Sequence, residues 1–228
     1  SIIDGVRAKS SNPEEFLEEC IKKDMEALVI NFLENNFHAE IPEDNFFRHN
    51  NNGVLEKIPI LCTVGEFNVP CINQDPVLEL RLKSDIRNEI DNLAESCWEK
   101  LISNLKRQSF TVEEDGSDTI LYINKESIMV HIPSMISLVT SEETKVYSNF
   151  YIDFRTSIFK LASLANQIAN HESTLCEFGE TGWMLADNTV FITRFRAGDQ
   201  TKLYTLKDRT TDEEIKFAIK TCVIPAGV

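Results

Sequence analysis

Residues 119–154 read TILYINKESIMVHIPSMISLVTSEETKVYSNFYIDF. Apolar and polar side chains alternate through most of this stretch, the period a strand with one buried face requires. The alternation breaks at Asn124-Lys125 and at Ser141-Glu142-Glu143, and Asp115-Gly116 lies just ahead of it. Strands are therefore expected at Thr119–Asn124, Ser127–Ile132, Ile136–Thr140 and Lys145–Phe154, with another at Phe110–Glu113. Connections this short join antiparallel neighbours and leave no room for crossover helices.

Helical periods flank the stretch. Asn12-Pro13-Glu14-Glu15 combines a capping side chain, a proline suited to the first helical position and acids facing the positive end of the dipole. Phe16, Leu17, Cys20, Ile21, Met25, Leu28, Val29, Phe32 and Leu33 then form a full apolar stripe, which predicts a helix over 13–35. A polar loop containing Asn50-Asn51-Asn52-Gly53 follows, then strands at Val54–Thr63 and Glu66–Cys71 around a turn at Gly65. Asp75-Pro76 starts a second helix, predicted over 76–106. Leu78, Leu80 and Leu82 alternate as in a strand and compete with it, but from Ile86 to Leu105 the period is helical.

Beyond the sheet, Ile158, Leu161, Ala162, Ala165, Ile168 and Ala169 give a third helix over 156–171, its small residues suited to close packing on a sheet. Strands at Val190–Arg196, Lys202–Lys207 and Ile215–Val223 complete the chain, with no repeats and no low-complexity tract. The fold class expected is α+β, two long helices and one shorter helix packed on antiparallel β-sheet. Residues 1–12 read as a polar arm, 13–107 as a helical half with a β-hairpin, and 108–228 as a sheet-rich half with one helix, the halves sharing a core.

The 228 residues carry a net charge of −14 and 42% hydrophobic content, including fourteen Phe. That supports a substantial core and argues against disorder. An acidic surface keeps a chain soluble and repels phosphate backbones and anionic lipid heads, so nucleic acid and direct lipid binding are not expected. No apolar run approaches the roughly 18 residues that cross a bilayer. The longest, around Ile58–Val64, reads as a buried strand. The chain opens on Ser1 rather than Met, and an upstream signal peptide or anchor, removed by processing or by design, is expected. Any membrane attachment would come through that segment.

Six cysteines, Cys20, Cys62, Cys71, Cys97, Cys176 and Cys222, allow about fifteen pairings. The expected elements narrow the choice. Cys62 and Cys71 flank a turn on adjacent strands. Cys20 and Cys97 come level if the first two helices pack antiparallel. Cys176 follows the third helix and Cys222 lies in the last strand, which makes a third pair. The alternative is six reduced, mostly buried thiols in a cytosolic protein, and the apolar stripes carrying Cys20 and Cys97 suit that too. Structural zinc is disfavoured, because Cys-x-x-Cys is absent and His38, His49, His131 and His171 are scattered.

No catalytic or cofactor-binding residue stands out. His38, Glu40, Glu43, Asp44 and His49 are the densest set of possible metal ligands, but they lie in one acidic loop-like stretch, where solvated side chains are the simpler reading. His171 precedes Cys176 by five positions without the context of a nucleophile motif. Glu177-Phe178-Gly179-Glu180-Thr181-Gly182 lacks the glycine spacing and the lysine of a phosphate loop and reads as a turn. Arg194 and Arg196, alternating with Phe191, Ile192 and Phe195, have the makings of a basic-aromatic patch, but in an acidic chain they read as the solvent face of a strand, and Trp98 and Trp183 read as core and rim. Nor does any motif single out a small-molecule ligand.

The order of elements resembles a group of uncharacterised archaeal membrane-anchored surface proteins, in which a pilin-like N-terminal hydrophobic segment precedes a globular outer domain. The likeness rests on the Cys20 helix, the helix from Pro76 through Glu89-Ile90 to Cys97, and the strand Ser127–Ile132 leading to the helix at 156–171. It extends loosely over 13–175, with an echo in Tyr204–Cys222, and contains no catalytic motif. It implies a surface-exposed domain with a bridge at Cys20–Cys97, anchored through a segment this chain lacks. The functional expectation is a non-enzymatic extracytoplasmic binding or assembly domain, pilin-like or adhesive, with a protein partner or self-assembly. The competing expectations are a cytosolic metal-dependent hydrolase or nuclease using the His38–His49 region, and a viral structural protein.

Overall fold

The alternation over 119–154 becomes a sheet built around one strand. The computed structural model describes residues 12–222 apart from 42, 52, 67, 109, 117 and 142. Most of the expected polar arm, the Val223 end of the last expected strand, and Asn52 and Glu142 in two expected turns lie outside the described residues. The chain is α+β, with four helices and two mixed-length sheets among the described residues. It divides into two units, one of residues 1–28 and 85–155, the other of 29–84 and 156–228. The units interleave along the chain instead of following a boundary at 107/108, because strands distant in sequence pair with one another.

Helix α1 (Pro13–Glu34) starts where Asn12 Oδ1 accepts the Glu14 N–H at 3.0 Å. Helix α2 (Leu78–Arg107) starts two residues later than expected. Its leading leucines are helical: Leu78 and Leu82, one turn apart, are buried, while Leu80 is exposed.

In the first unit, β6 (Ser127–Val139) is the central strand. β7 (Thr144–Arg155) pairs along one edge, and β4 (Thr111–Glu114) and β5 (Ile120–Ile123) follow one another along the other edge, all antiparallel. The expected break between Ile132 and Ile136 is a bulge within one continuous strand. The register shifts between Ile132 and Met135, opposite Asn149 at φ 59°, and the bulge accommodates Pro133, which has no N–H for the ladder. Ile128, Val130, Ile132, Ile136 and Leu138 bury one face of β6. Trp98 sets its ring edge against Phe150 at 5.8 Å and donates its indole N–H to Glu114 at 2.5 Å.

In the second unit the sheet runs β1 (Phe46–Asn51), β2 (Val54–Thr63), β10 (Glu214–Ile219), β9 (Lys202–Asp208), β8 (Val190–Arg196), with the short β3 (Ile72–Asn73) also on β2. Here the antiparallel expectation needs one amendment: β2 and β10 run parallel, Ile60 opposite Ala218 and Cys62 opposite Ile219. Helix α3 (Ile158–Leu175) packs the face carrying Ile158, Leu161, Ala165 and Ile168 into this unit's core. It ends at Cys176, whose left-handed φ of 59° closes the last turn onto the Glu172 carbonyl.

Three local expectations fail here. No strand forms over the described part of Glu66–Cys71, because the chain turns through Asn68 at φ 60° and Pro70 offers no donor; Ile72–Asn73 takes the place beside β2. A strand does form in the polar loop: β1 pairs with β2 around Gly53 at φ 90°, where Asn50 Oδ1 caps the Gly53 N–H. The expected turn at 177–182 runs into a short helix, α4 (Glu180–Ala186).

Candidate functional site

The β1–β2 hairpin creates the site. Only the second half of β2 pairs with β10, so the first half and β1 are free to bend out of the sheet. His49 on β1 and Phe195 on β8 belong to opposite edge strands, yet their rings lie 5.8 Å apart at 56°. The sheet curls until its two edges meet.

The curl encloses a cavity of about 230 Å³. Ile58 and Leu203 line it on the apolar side and belong to a small cluster with Ala218, against which Phe47 and Ile60 pack. Lys216 reaches Glu56 at 3.2 Å, and Asn51 donates its amide to the other Glu56 oxygen at 3.1 Å. The Asn51 amide, then Lys216 and the nearby His49, outweigh partial burial and hold the Glu56 carboxyl below its usual range. Thr193 and Thr205, register partners on β8 and β9, add hydroxyls to the wall, and Phe195 is 57% exposed at the rim. A second hollow of about 390 Å³ shares Glu56, Ile58 and Lys216 and extends toward Leu33, Asn36 and Ile41.

The same strands are stiffened by a charge network, two members of which, Arg194 and Tyr204, also line the cavity. Lys202 on β9, almost fully buried, donates to both oxygens of the fully buried Glu172 at 3.0 and 2.8 Å, to Glu177 at 2.9 Å and to the Cys176 carbonyl. Tyr204 donates to Glu172 at 2.5 Å and stacks on Phe217 at 5.4 Å. Burial and the Glu172 carboxylate raise the Tyr204 hydroxyl far above its ordinary range, so it stays a donor. Burial opposes ionisation of Glu177, but hydrogen bonds from Lys202 and Arg194 prevail and hold its pKa low. Arg194 also pairs with Glu180 at 3.0 Å, so the expected solvent-facing arginine instead clamps α4 and its approach to β8.

The candidate residues of the sequence fall out unevenly. Cys20 is joined to Cys97, Cys62 to Cys71, and Cys176 to Cys222, with Cα–Cα separations of 6.0, 5.5 and 5.7 Å, and no free cysteine is found among the described residues. Cys176 is thereby consumed, and the His171 ring rests edge-on against Phe178. Within the acidic stretch, Glu40, Glu43 and Asp44 are exposed, and only His49 reaches the cavity. Among the described residues the one set of three ligand-type atoms within 4.8 Å of each other is Cys20, Asp24 and Cys97, two of them joined to each other. Glu56 and Lys216 join the cavity without a sequence signal, and Phe195 was noticed only as part of the Arg194–Arg196 strand, because the curl that unites them is a property of the sheet. Trp98 is core and Trp183 half-buried.

No protein-family model matches the chain, and no curated protein or solved structure matches it either. No helix among the described residues is long and apolar enough to cross a membrane.

Proposed function

We propose that the chain is a non-catalytic extracytoplasmic binding or assembly domain, of the kind borne by surface, pilin-like or adhesion proteins. The observation that carries this reading is the pairing of all six cysteines into three disulfides. Such bonds persist in oxidising compartments and are rare where glutathione and thioredoxin keep thiols reduced. The reading also draws on the charge: a net −14 keeps the domain soluble and away from anionic lipid and nucleic acid. A cavity on a curled sheet, lined by Glu56, Lys216, two threonine hydroxyls and an exposed phenylalanine, offers groups for recognition.

The experiment is thiol counting on protein taken from its native compartment, denatured without reductant. Zero free thiols are expected. Six free thiols would remove the extracytoplasmic placement and with it the reading.

A further inference from the structure

We infer that the cavity under the β1–β2 hairpin is a binding site for a neutral carbohydrate, seated with one apolar ring face on Phe195 and its hydroxyls on the Glu56–Lys216 pair. This rests on the binding-domain reading above and names its ligand.

The argument begins with charge. Glu56 and Lys216 face the cavity together and cancel, and Arg194, which also lines it beside His49, is paired with Glu177 and Glu180, so a phosphate or carboxylate ligand meets Glu56 and a cationic one meets Lys216. A hydroxyl suits both, since it donates to a carboxylate and accepts from an ammonium. Adjacent hydroxyls on a sugar ring satisfy the two groups at once. The pair is 27% and 32% exposed, open enough to exchange water for such a ligand. Asn51 fixes one Glu56 oxygen at 3.1 Å and leaves the oxygen that faces Lys216 to the ligand.

The second strand of the argument is Phe195. A phenylalanine 57% exposed at the rim of a polar cavity, its ring 5.8 Å from and tilted 56° to that of His49, offers aromatic surface to a ligand. Aromatic faces are electron-rich and favour polarised C–H groups as well as cations. A sugar presents C–H groups on one face and hydroxyls around its rim, which matches an aromatic wall beside a polar pair. A volume of about 230 Å³ lies below that of drug-sized pockets and suits a single ring with its neighbours projecting outside.

The test is a titration of the full chain, followed by ¹H–¹⁵N NMR, with the methyl glycosides of glucose, galactose, mannose and N-acetylglucosamine, and with inorganic phosphate as the charged control. At least one glycoside should shift the amides of His49, Phe195 and Thr205 saturably, while phosphate should not. Phe195→Ala should weaken that binding about tenfold, and Lys216→Met should weaken it comparably with the circular dichroism unchanged. Should Phe195→Ala fold poorly, Lys216→Met and Glu56→Gln carry the test. The inference is overturned if none of the four glycosides saturates, if the folded variants bind as the wild type does, or if phosphate competes at the same amides. Failure here with every cysteine oxidised discards the ligand and leaves the extracytoplasmic domain standing, whereas free thiols discard the reading beneath it.

Discussion

Lys202 ties the end of α3 and the segment after it to the sheet of the second unit. Its ammonium sits nearly out of water with two carboxylates and the Cys176 carbonyl around it, binding the end of α3 to the middle of the sheet. A buried ion pair contributes little relative to an apolar pair of the same shape, but removing one partner leaves a charge stranded. Lys202→Met should therefore destabilise the chain by about 3–5 kcal/mol, and adding Glu172→Leu should restore most of that. Urea denaturation of the two variants decides it; equal losses in both would show that packing rather than charge governs the position. None of this was readable in advance. Lys202 stands in an alternating strand beside Leu203, and Glu172 on a helix stripe, each with the look of a surface residue until the tertiary fold sets them face to face. The cavity side chains share that fate, with His49 noticed for the wrong reason, as one of a string of possible metal ligands.

The elements themselves were largely legible, since α1, α2, α3 and every strand but β1 and β3 follow from period, caps and turns. The departures have local causes. Pro133 looked like a strand end because an interior proline removes a ladder bond, and it is tolerated because the bulge falls there. β1 was hidden because Phe46-Phe47-Arg48-His49-Asn50-Asn51 has no alternation; it is a strand by courtesy of β2, with Arg48 and Lys57 both set over the Phe46 ring. Opposite Pro133, Asn149 holds a left-handed backbone in mid-strand, a conformation that asparagine tolerates and β-branched residues resist. Asn149→Val should cost about 1–2 kcal/mol through backbone strain, while Asn149→Gly should stay within about 0.5 kcal/mol of the wild type. Thermal melts of the pair test the bulge, and a harmless valine would show that β7 adopts regular geometry at this point.

What the sequence could not convey is membership: which elements share a unit. The parallel pairing of β2 with β10 joins Ile60 to Ala218, and no local pattern encodes a partner so far along the chain. The three disulfides join the pairs that the element order suggested, two of them over a long reach. Their sequence separations are 77 for Cys20–Cys97, 46 for Cys176–Cys222 and 9 for Cys62–Cys71. Loop entropy then ranks their contributions at about 4.5, 4.0 and 2.6 kcal/mol. Paired serine substitutions, one bridge at a time, should lower the urea midpoint in that order, and a Cys62–Cys71 deletion as damaging as that of Cys20–Cys97 would contradict the chain-entropy account. The interleaving also sets a timetable for a ribosome. Every residue of the first unit has been synthesised once Arg155 is added, whereas β2 must wait with one edge bare until β10, far along the chain, arrives to cover it. A nascent chain of this design carries an unfinished edge through the whole interval between β2 and β10, and a chaperone or translocation pore that shields that edge should raise its yield.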